Sequence, residues 1–513
     1  MRGWFNDAIR SVIARSILLT GVVLSGWQRT RIRRFAVNQR RLKRKYRLQS
    51  DTPVLSYGPR VVESIRHAAA RLGSDARFAM TSGSTDNPKQ IVYTKHRLRT
   101  VRFAFSDMFA RACTAYRLSR TSVYVFSSFE RDASLTSLLL DEEKLPLYVS
   151  TLQAPYRVQQ HPAIRKLASD YGAAAVRLWI LTLSNPGVLY ATNPATISTF
   201  LDELQTNWSH CSRLVKDWCN DPDRFDHAVH TIARRLASRG SAHRLQLVAT
   251  NGLPVRLKDF APAVRAYLCW TGGYVKPFLD RIATYLPTAQ LIPMYSMSTE
   301  TIETETVFRD GEAYFLPLAN SVVYEFVNDE ERLLTPDQLT PGETYAMVVS
   351  DAYGLRRYHT GDLFTCRRKL NGLPDLVFLR RQALEYSFAG EKVTAEQLTT
   401  IFDHLRNKYR SEAFLTLVPS LLPQPHYKLI GVSGDSLDGD LMATECDKLL
   451  SAMNCEYKSK RARGILGPIH FVQTGAADFA EHFACSWETQ FKFLPLYRRT
   501  WESMSSFELM RVS

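Results

Sequence analysis

The chain has 513 residues, 45% hydrophobic and 23% charged, which is too long for one ordinary domain and too apolar for global disorder. Its net charge of +16 suggests nucleic acid until the charge is located: thirteen Arg or Lys against the single acid Asp7 put +12 into residues 1–48 and leave +4 for the rest. The basic excess is therefore local, and a nucleic-acid-binding role for the fold as a whole is excluded.

Taken in chain order, the first element is an apolar run, Val12–Trp27, interrupted by Arg15. It is shorter than the roughly twenty residues of a membrane span and lacks a small-residue cleavage site. Two readings stay open for residues 1–48. One is a solvated helix packed on the domain by its apolar stripe. The other is a peripheral contact with an anionic membrane surface through the basic tract Arg29–Arg47.

Residues 97–115 and 160–180 carry helical spacing, and Ser122–Phe129 has the pattern of a strand. Thr192-Asn193-Pro194 is a helix start, a capping residue followed by proline in the first turn. RLQLVAT (Arg244–Thr250) and QLIPMYSM (Gln290–Met297) are expected as strands, and Phe260–Leu286 between them as helix, glycine turn, helix. That alternation predicts α/β layers. Residues 306–350, with Leu355–Arg368 and Pro374–Arg381, form a β-rich subdomain. Beyond Arg381, a helix (Thr394–Tyr409), strands (Ala413–Ser420 and Tyr427–Gly434) and a helix (Asp440–Tyr457) make a compact α+β unit. The expected division is a basic N-terminal helical segment (1–48), a large domain (49–384) and a small C-terminal domain (385–513). The eight cysteines show no CxxC or Cys/His spacing, so zinc is not expected and the thiols suit a reducing compartment.

The segment richest in chemistry is MTSGSTDNPKQIVYT (Met80–Thr94). Hydroxyls around one glycine, followed by a lysine, suit the holding of phosphate oxygens by backbone N–H groups, hydroxyls and charge. The Walker pattern GxxxxGK[ST] is absent. The order T-S-G-S-T-x-x-P-K resembles the phosphate loop of the adenylate-forming superfamily, with Asp86 where a second glycine is usual. PMYSMSTE (Pro293–Glu300) resembles that superfamily's Y-G-x-[ST]-E motif, with Glu300 one residue late and Thr299 in its usual place. RRYHTGDLF (Arg356–Phe364) resembles Y-x-T-G-D.

Further segments are similar to the auxin-responsive acyl-acid amido synthetase family. These are the helix start at Asn193-Pro194, the Gly272-Gly273 turn, YGLRRYHTGD with His359 in place of an arginine, and the hinge residue Arg381 followed by Gly390-Glu391-Lys392. NCEYKSKRARGILGPIHFV (Asn454–Val472) and QFKFLPLYR (Gln490–Arg498) complete the set. The resemblance covers about residues 38–500. It implies an α/β fold: a large multi-layer N-terminal adenylation domain with a β subdomain, and a small mobile α+β C-terminal domain.

It also implies an ATP-dependent, Mg²⁺-using acid–amino-acid ligase. Such an enzyme adenylates a small-molecule carboxylic acid and passes the acyl group to an amine or amino acid. By the resemblance, Thr81, Ser82, Gly83, Ser84, Thr85 and Lys89 hold phosphates, and Glu300 holds Mg²⁺. Tyr295 stacks on adenine, with Ser298 and Thr299 beside it. Gly272 and Gly273 flank the nucleotide. Tyr358, Asp362 and Arg381 serve the nucleotide and its ribose, Lys392 touches the nucleotide, and Lys492 bridges carboxylate and α-phosphate as a catalytic residue alongside Lys89. The expected location is cytoplasmic, with membrane association through residues 1–48 open. The alternatives are a carboxylate–CoA ligase, or a binding protein of this fold that has lost catalysis and is tethered to membrane.

Overall fold

The computed structural model describes residues 2–80, 89–118, 122–127, 129, 135, 138–139, 158–159, 161–273, 275–381, 385–386, 391, 393–434, 436–462, 464–476, 478–479, 494–497 and 501. Two compact units are present. The first comprises residues 1–192, 207–273 and 286–382, and the second residues 193–206, 274–285 and 383–513.

The first unit begins with α1 (Arg2–Arg33), α2 (Phe35–Lys45) and α3 (Pro59–Leu72), followed by a hairpin of β1 (Arg77–Met80) and β2 (Gln90–Tyr93), and then α4 (Lys95–Ala115). Thr94 caps α4 by accepting from the Arg97 amide at 3.1 Å. Next come β3 (Val123–Val125), α5 (Pro162–Tyr171), α6 (Ala173–Ser184) and β4 (Val188–Tyr190). The expected single helix over 160–180 is broken at Gly172, whose φ of 87° ends one helix and starts the next. The segment α7 (Pro194–Thr206) belongs to the second unit. Asn193 accepts from the Ala195 amide at its start, as its sequence predicts.

Two expectations are overturned between Gly240 and Trp270. Arg244–Thr250, read as a strand, lies in a helix; with α8 (Arg213–Asn220) and α9 (His227–Leu236) before it, this is α10 (Ser241–Thr250). A short apolar run does not distinguish a strand from a buried helix face. Here Leu245 and Val248 share the buried side, and the buried Arg244 guanidinium donates to the carbonyls of Thr182 (3.0 Å) and Arg239 (2.8 Å). Conversely Ala266–Trp270, expected inside a helix, is β5. It pairs in parallel with β4 on one side and β6 (Gln290–Met294) on the other. The sheet order is β3-β4-β5-β6, all parallel. A central parallel strand is buried on both faces, so it carries an unbroken apolar run without alternation.

The β-rich region matches its patterning. Strands β7 (Glu305–Arg309) and β8 (Glu312–Leu316) form a hairpin. Strands β9 (Val323–Val327), β10 (Leu333–Leu334), β11 (Thr344–Ser350), β12 (Tyr358–Leu370) and β13 (Leu373–Arg381) form a five-stranded antiparallel sheet ordered β10-β9-β11-β12-β13.

The second unit contains α7, α11 (Lys276–Tyr285), β14 (Glu385–Tyr386), β15 (Val393–Thr394), α12 (Ala395–Tyr409), β16 (Phe414–Ser420), β17 (His426–Val432), α13 (Gly439–Met453), α14 (Cys455–Ala462) and β18 (His470–Thr474). Strand β17 lies between antiparallel β16 and parallel β18. The expected helix over Asp440–Tyr457 divides at Asn454, whose Oδ1 caps α14 through the Tyr457 amide at 2.9 Å. Asp202 of α7 accepts from Arg281 Nε at 2.8 Å and Tyr285 OH at 2.7 Å on α11, and Phe278 stacks on Phe414 at 5.7 Å.

Helix α1 is joined to the first unit by both shape and charge. Ile17 and Ile32 are buried, and Thr114 of α4 donates to the Leu18 carbonyl at 2.9 Å. Arg31 forms a two-pronged pair with Glu305 at 2.9 and 2.6 Å, and Gln28 donates to the Thr306 carbonyl at 3.2 Å. Beyond it, Lys43 of α2 pairs with Glu325 at 2.8 Å. No helix among the described residues is long and apolar enough to cross a membrane. Gly21 lies where α1 crosses α4, and a Cβ there would overlap Thr114 Oγ1 and the Ala110 carbonyl. Gly21→Val should therefore destabilise the first unit by about 1–3 kcal/mol, while the exposed neighbour Val22→Ser changes stability by less than about 0.5 kcal/mol. Urea denaturation of both variants checks this, and equal effects would remove the tight crossing.

Candidate active site

Strands β1 and β2 are in register at Met80↔Gln90, which sets Lys89 at the mouth of the hairpin. Thr81, Ser82, Gly83, Ser84 and Thr85 lie outside the described residues, as do Lys392 and Lys492. Lys89 is described, and its side chain is 14% exposed. Its Nζ donates to Glu300 Oε1 at 3.0 Å and to Tyr358 OH at 2.8 Å. The Tyr358 hydroxyl is itself 3.4 Å from Glu300 Oε1. Three residues from three separate motifs thus meet around one ammonium group, separated in sequence by 211 and 58 positions.

Glu300 reaches that point from a tight turn that leaves β6. Ser296 accepts from the amides of Glu303 and Thr304, and Ser298 N and Thr301 O close the tip at 3.0 Å. Ser298, Thr299 and Glu300 are all buried at this tip. Tyr93 OH donates to the Thr299 carbonyl at 2.8 Å.

On β12, Tyr358 is buried and Asp362 is 2% exposed. Asp362 faces Arg381 as its cross-strand partner on β13, so the two expected ribose residues lie opposite each other along the backbone. Thr360 Oγ1 accepts from the Asp362 amide at 3.1 Å and donates to the Met347 carbonyl at 3.1 Å. Gly361 has a φ of 82°, a left-handed conformation that glycine takes without strain.

Two expected site groups have structural explanations of their own. Gly272 and Gly273 pack against Phe378, and a Cβ on Gly272 would come within 2.9 Å of Phe378 Cβ. Tyr295 lies deep in the first unit. Its ring is 2% exposed inside the main core, where burial raises its phenol far above the ordinary range.

Sequence reading missed Arg97. Its guanidinium lies 4.5 Å from the Tyr93 ring centroid and 4.6 Å from that of Tyr353. It donates to the carbonyls of Val92 (2.9 Å) and Glu300, and pairs with Asp351 at 3.1 Å. Asp351 Oδ1 in turn accepts from the amides of Tyr353 (2.7 Å) and Leu355 (3.1 Å), shaping the loop that enters β12. Burial pushes the Asp351 carboxyl above its ordinary range, against the pull of Arg97 and the two amides. The only sequence signal was the capping Thr94 three residues earlier, and a lone arginine in a helix's first turn normally faces water.

His359 also gains a role. Its Nδ1 accepts from the Gly361 amide at 3.2 Å, a side-chain-to-backbone turn ahead of Asp362. Burial first, then Lys89, lowers its pKa below the ordinary 6.5, with Asp362 opposing.

The family descriptions that match are the GH3 family N-terminal domain over residues 76–291 and the GH3 family central domain over residues 315–381, together more than half of the chain. The chain belongs to the GH3 family. Among curated relatives, it is 21% identical over 328 residues to indole-3-acetic acid-amido synthetase GH3.4 of Arabidopsis thaliana, covering 58% of this chain and 55% of that one. It is 22% identical over 374 residues to GH3.2 of the same plant, covering 61% and 64%. The chain thus spans between about half and two thirds of the length of these relatives. The solved structure of the AtGH3.15 acyl acid amido synthetase in complex with 2,4-DB superposes with a TM-score of 0.68, covering 90% of this chain and 87% of that one at 16% identity. At that identity the likeness establishes a shared α/β fold.

Two outcomes follow from the geometry. Arg97→Ala strands the Asp351 carboxylate and should cost about 3–5 kcal/mol. In a double-mutant cycle with Asp351→Ala, denaturant unfolding should give a coupling of at least about 1 kcal/mol, and additive effects would break the clamp. A histidine whose pKa is depressed on folding contributes stability that is complete above its ordinary value and is lost as pH falls through that value towards the depressed one. The protein should therefore lose stability on acidification below 6.5. His359→Asn keeps an acceptor for the Gly361 amide and should flatten that slope in urea melts across pH. An unchanged slope would assign it to other groups.

Proposed function

We propose that the chain is an ATP-dependent acid–amino-acid ligase that works through an acyl-adenylate. The observation that carries the reading is the meeting of Lys89, Glu300 and Tyr358, with Asp362 four residues further along the strand of Tyr358, in a chain of the GH3 family. In the first half-reaction a carboxylate oxygen attacks the α-phosphorus of ATP, the bond to the bridging oxygen breaks, and pyrophosphate leaves. In the second, an amine nitrogen attacks the acyl carbonyl, the bond to AMP breaks, and the amine proton passes to solvent as the amide forms. No enzyme-bound nucleophile is required, because the adenylate is already activated.

Lys89 and the hydroxyls of residues 81–85 would face phosphate oxygens, with catalysis supplied mainly by positioning and charge. Asp362 accepts ribose hydroxyls, with Arg381 opposite. The family resemblance assigns the bridging role to Lys492 and a nucleotide contact to Lys392. Mg²⁺ fits Glu300, because a carboxylate is a hard oxygen donor of the kind this cation takes. This suits an ion held by one carboxylate together with phosphate oxygens and water. When bound, it neutralises charge on the polyphosphate.

The relatives named for indole-3-acetic acid support a search that begins with indolyl and aryl acids. A cytoplasmic location is proposed from the scattered thiols. Contact of residues 1–48 with a membrane surface is a secondary proposal, resting on the exposed Leu19, Val22 and Val23 of α1.

The test is ATP–pyrophosphate exchange by the purified chain with indolyl, aryl and aliphatic acids, followed by mass spectrometry of products formed with amino acids or with CoA. Exchange should depend on one acid, and Lys89→Ala and Asp362→Ala should each reduce it at least roughly tenfold. Wild-type exchange in both variants would remove the site. A thioester in place of an amide would favour the CoA-ligase reading. The absence of both exchange and ATP binding by calorimetry would favour the binding-protein reading.

A further inference from the structure

Away from these residues, α1 and α2 do not close completely on the β-sheet. They leave a cavity of about 1230 Å³ within the first unit. Its floor includes the buried apolar residues Ile32, Phe35, Leu370 and Leu373, and its basic wall is supplied by both helices and α4. The charges on that wall fall into two groups. Lys43 and Arg111 are already engaged, with Glu325 and Asp107, and Arg309 pairs with the adjacent Asp310. Arg29, Arg33 and Arg40 line the same cavity, are exposed, and have no hydrogen-bond or ion-pair partner among the described residues. Asp337 at the rim is the remaining acid on the lining, and its carbonyl accepts from Lys369.

Three uncompensated guanidiniums around a concave, partly apolar wall concentrate positive potential there. Each presents a planar fork that matches phosphate oxygens, and the volume exceeds what one inorganic phosphate needs. Arg29 and Arg33 are four residues apart on one face of α1, in the turns that follow the exposed Val22 and Val23 of the same helix.

We propose that this cavity binds a multiply phosphorylated group. The chemistry is shared by a soluble polyphosphorylated ligand and a phosphoinositide headgroup. For the second source, Leu19, Val22 and Val23 are positioned to meet acyl chains beside the headgroup. The site is separate from the Lys89 cluster and stands whether or not the ligase reading holds.

The experiment uses the full chain and two probes. Inositol hexakisphosphate, measured by calorimetry, is the soluble arm. Flotation with phosphatidylcholine vesicles containing phosphatidylinositol 4,5-bisphosphate, against vesicles of equal charge made with phosphatidylserine, is the lipid arm. Saturable binding to at least one probe is expected. It should weaken at least roughly tenfold in the variant Arg29→Gln/Arg33→Gln/Arg40→Gln, and stay unchanged in a charge-matched control, Arg60→Gln/Arg66→Gln/Arg71→Gln on the exposed side of α3. ATP–pyrophosphate exchange should be the same in both. Flotation specific for the phosphoinositide and reduced by Val22→Ser/Val23→Ser identifies the lipid source, and soluble binding without flotation identifies the free one. Equal weakening in the cavity and control variants, or no binding to either probe, overturns the proposal.

Discussion

One buried guanidinium holds the candidate site together. Arg97 emerges from the first turn of α4, immediately after the strand that delivers Lys89, and it fastens two other segments to that strand. One is the turn bearing Glu300, through its backbone carbonyl. The other is the loop that begins at Asp351 and leads into Tyr358 and Asp362. Two tyrosine rings sandwich its faces while its nitrogens reach carbonyls and a carboxylate at its edge, so charge, hydrogen bonding and cation–π attraction act together on one group. A lysine could satisfy the charge but not the planar arrangement. Motifs far apart in sequence acquire a common geometry through a residue that belongs to none of them.

The same economy of buried charge explains why the basic N-terminal segment is a structural part of the first unit. Glu305 and Glu325 are nearly inaccessible, and a buried carboxylate without a partner is strongly unfavourable. Arg31 and Lys43 come from residues 1–48 to meet them, and Arg357 approaches Glu325 from the entry to β12. Geometry divides the tract into arginines that neutralise internal acids and arginines that remain outside.

How legible this was in the sequence depended on where the determining partners lay. The capped helix α12, the start of α7 at Asn193-Pro194 and the alternating strands β9 to β13 were legible because their signals are local: a cap, a proline, a period of two. Ala266–Trp270 and Arg244–Thr250 were misread in opposite directions because each is a short apolar run whose conformation is decided by neighbours distant in the chain. β5 is extended because β4 and β6 bracket it, and α10 is helical because Arg244 finds carbonyls on α6. Motif order named Lys89, Glu300, Tyr358 and Asp362 as candidates, and the first three meet in the structure. It did not name Arg97, Asp351 or the turn made by His359, since burial is what gives an ordinary arginine, aspartate or histidine a role.

The contact between Lys89 and Glu300 joins the residue expected to hold phosphate to the one expected to hold metal. Each satisfies the other at 3.0 Å in a nearly closed environment, where an isolated charge of either sign would be costly. On the proposed reading, Lys89 would hold a phosphate oxygen and Glu300 would hold Mg²⁺, so each would have a partner of the same sign as the one it has in their mutual contact. Tyr358 is within hydrogen-bond reach of both groups. The same logic makes the pair interdependent: a protein with only one of the two would hold a buried charge whose partner had been removed, and its binding would then report that uncompensated charge as much as the lost contact.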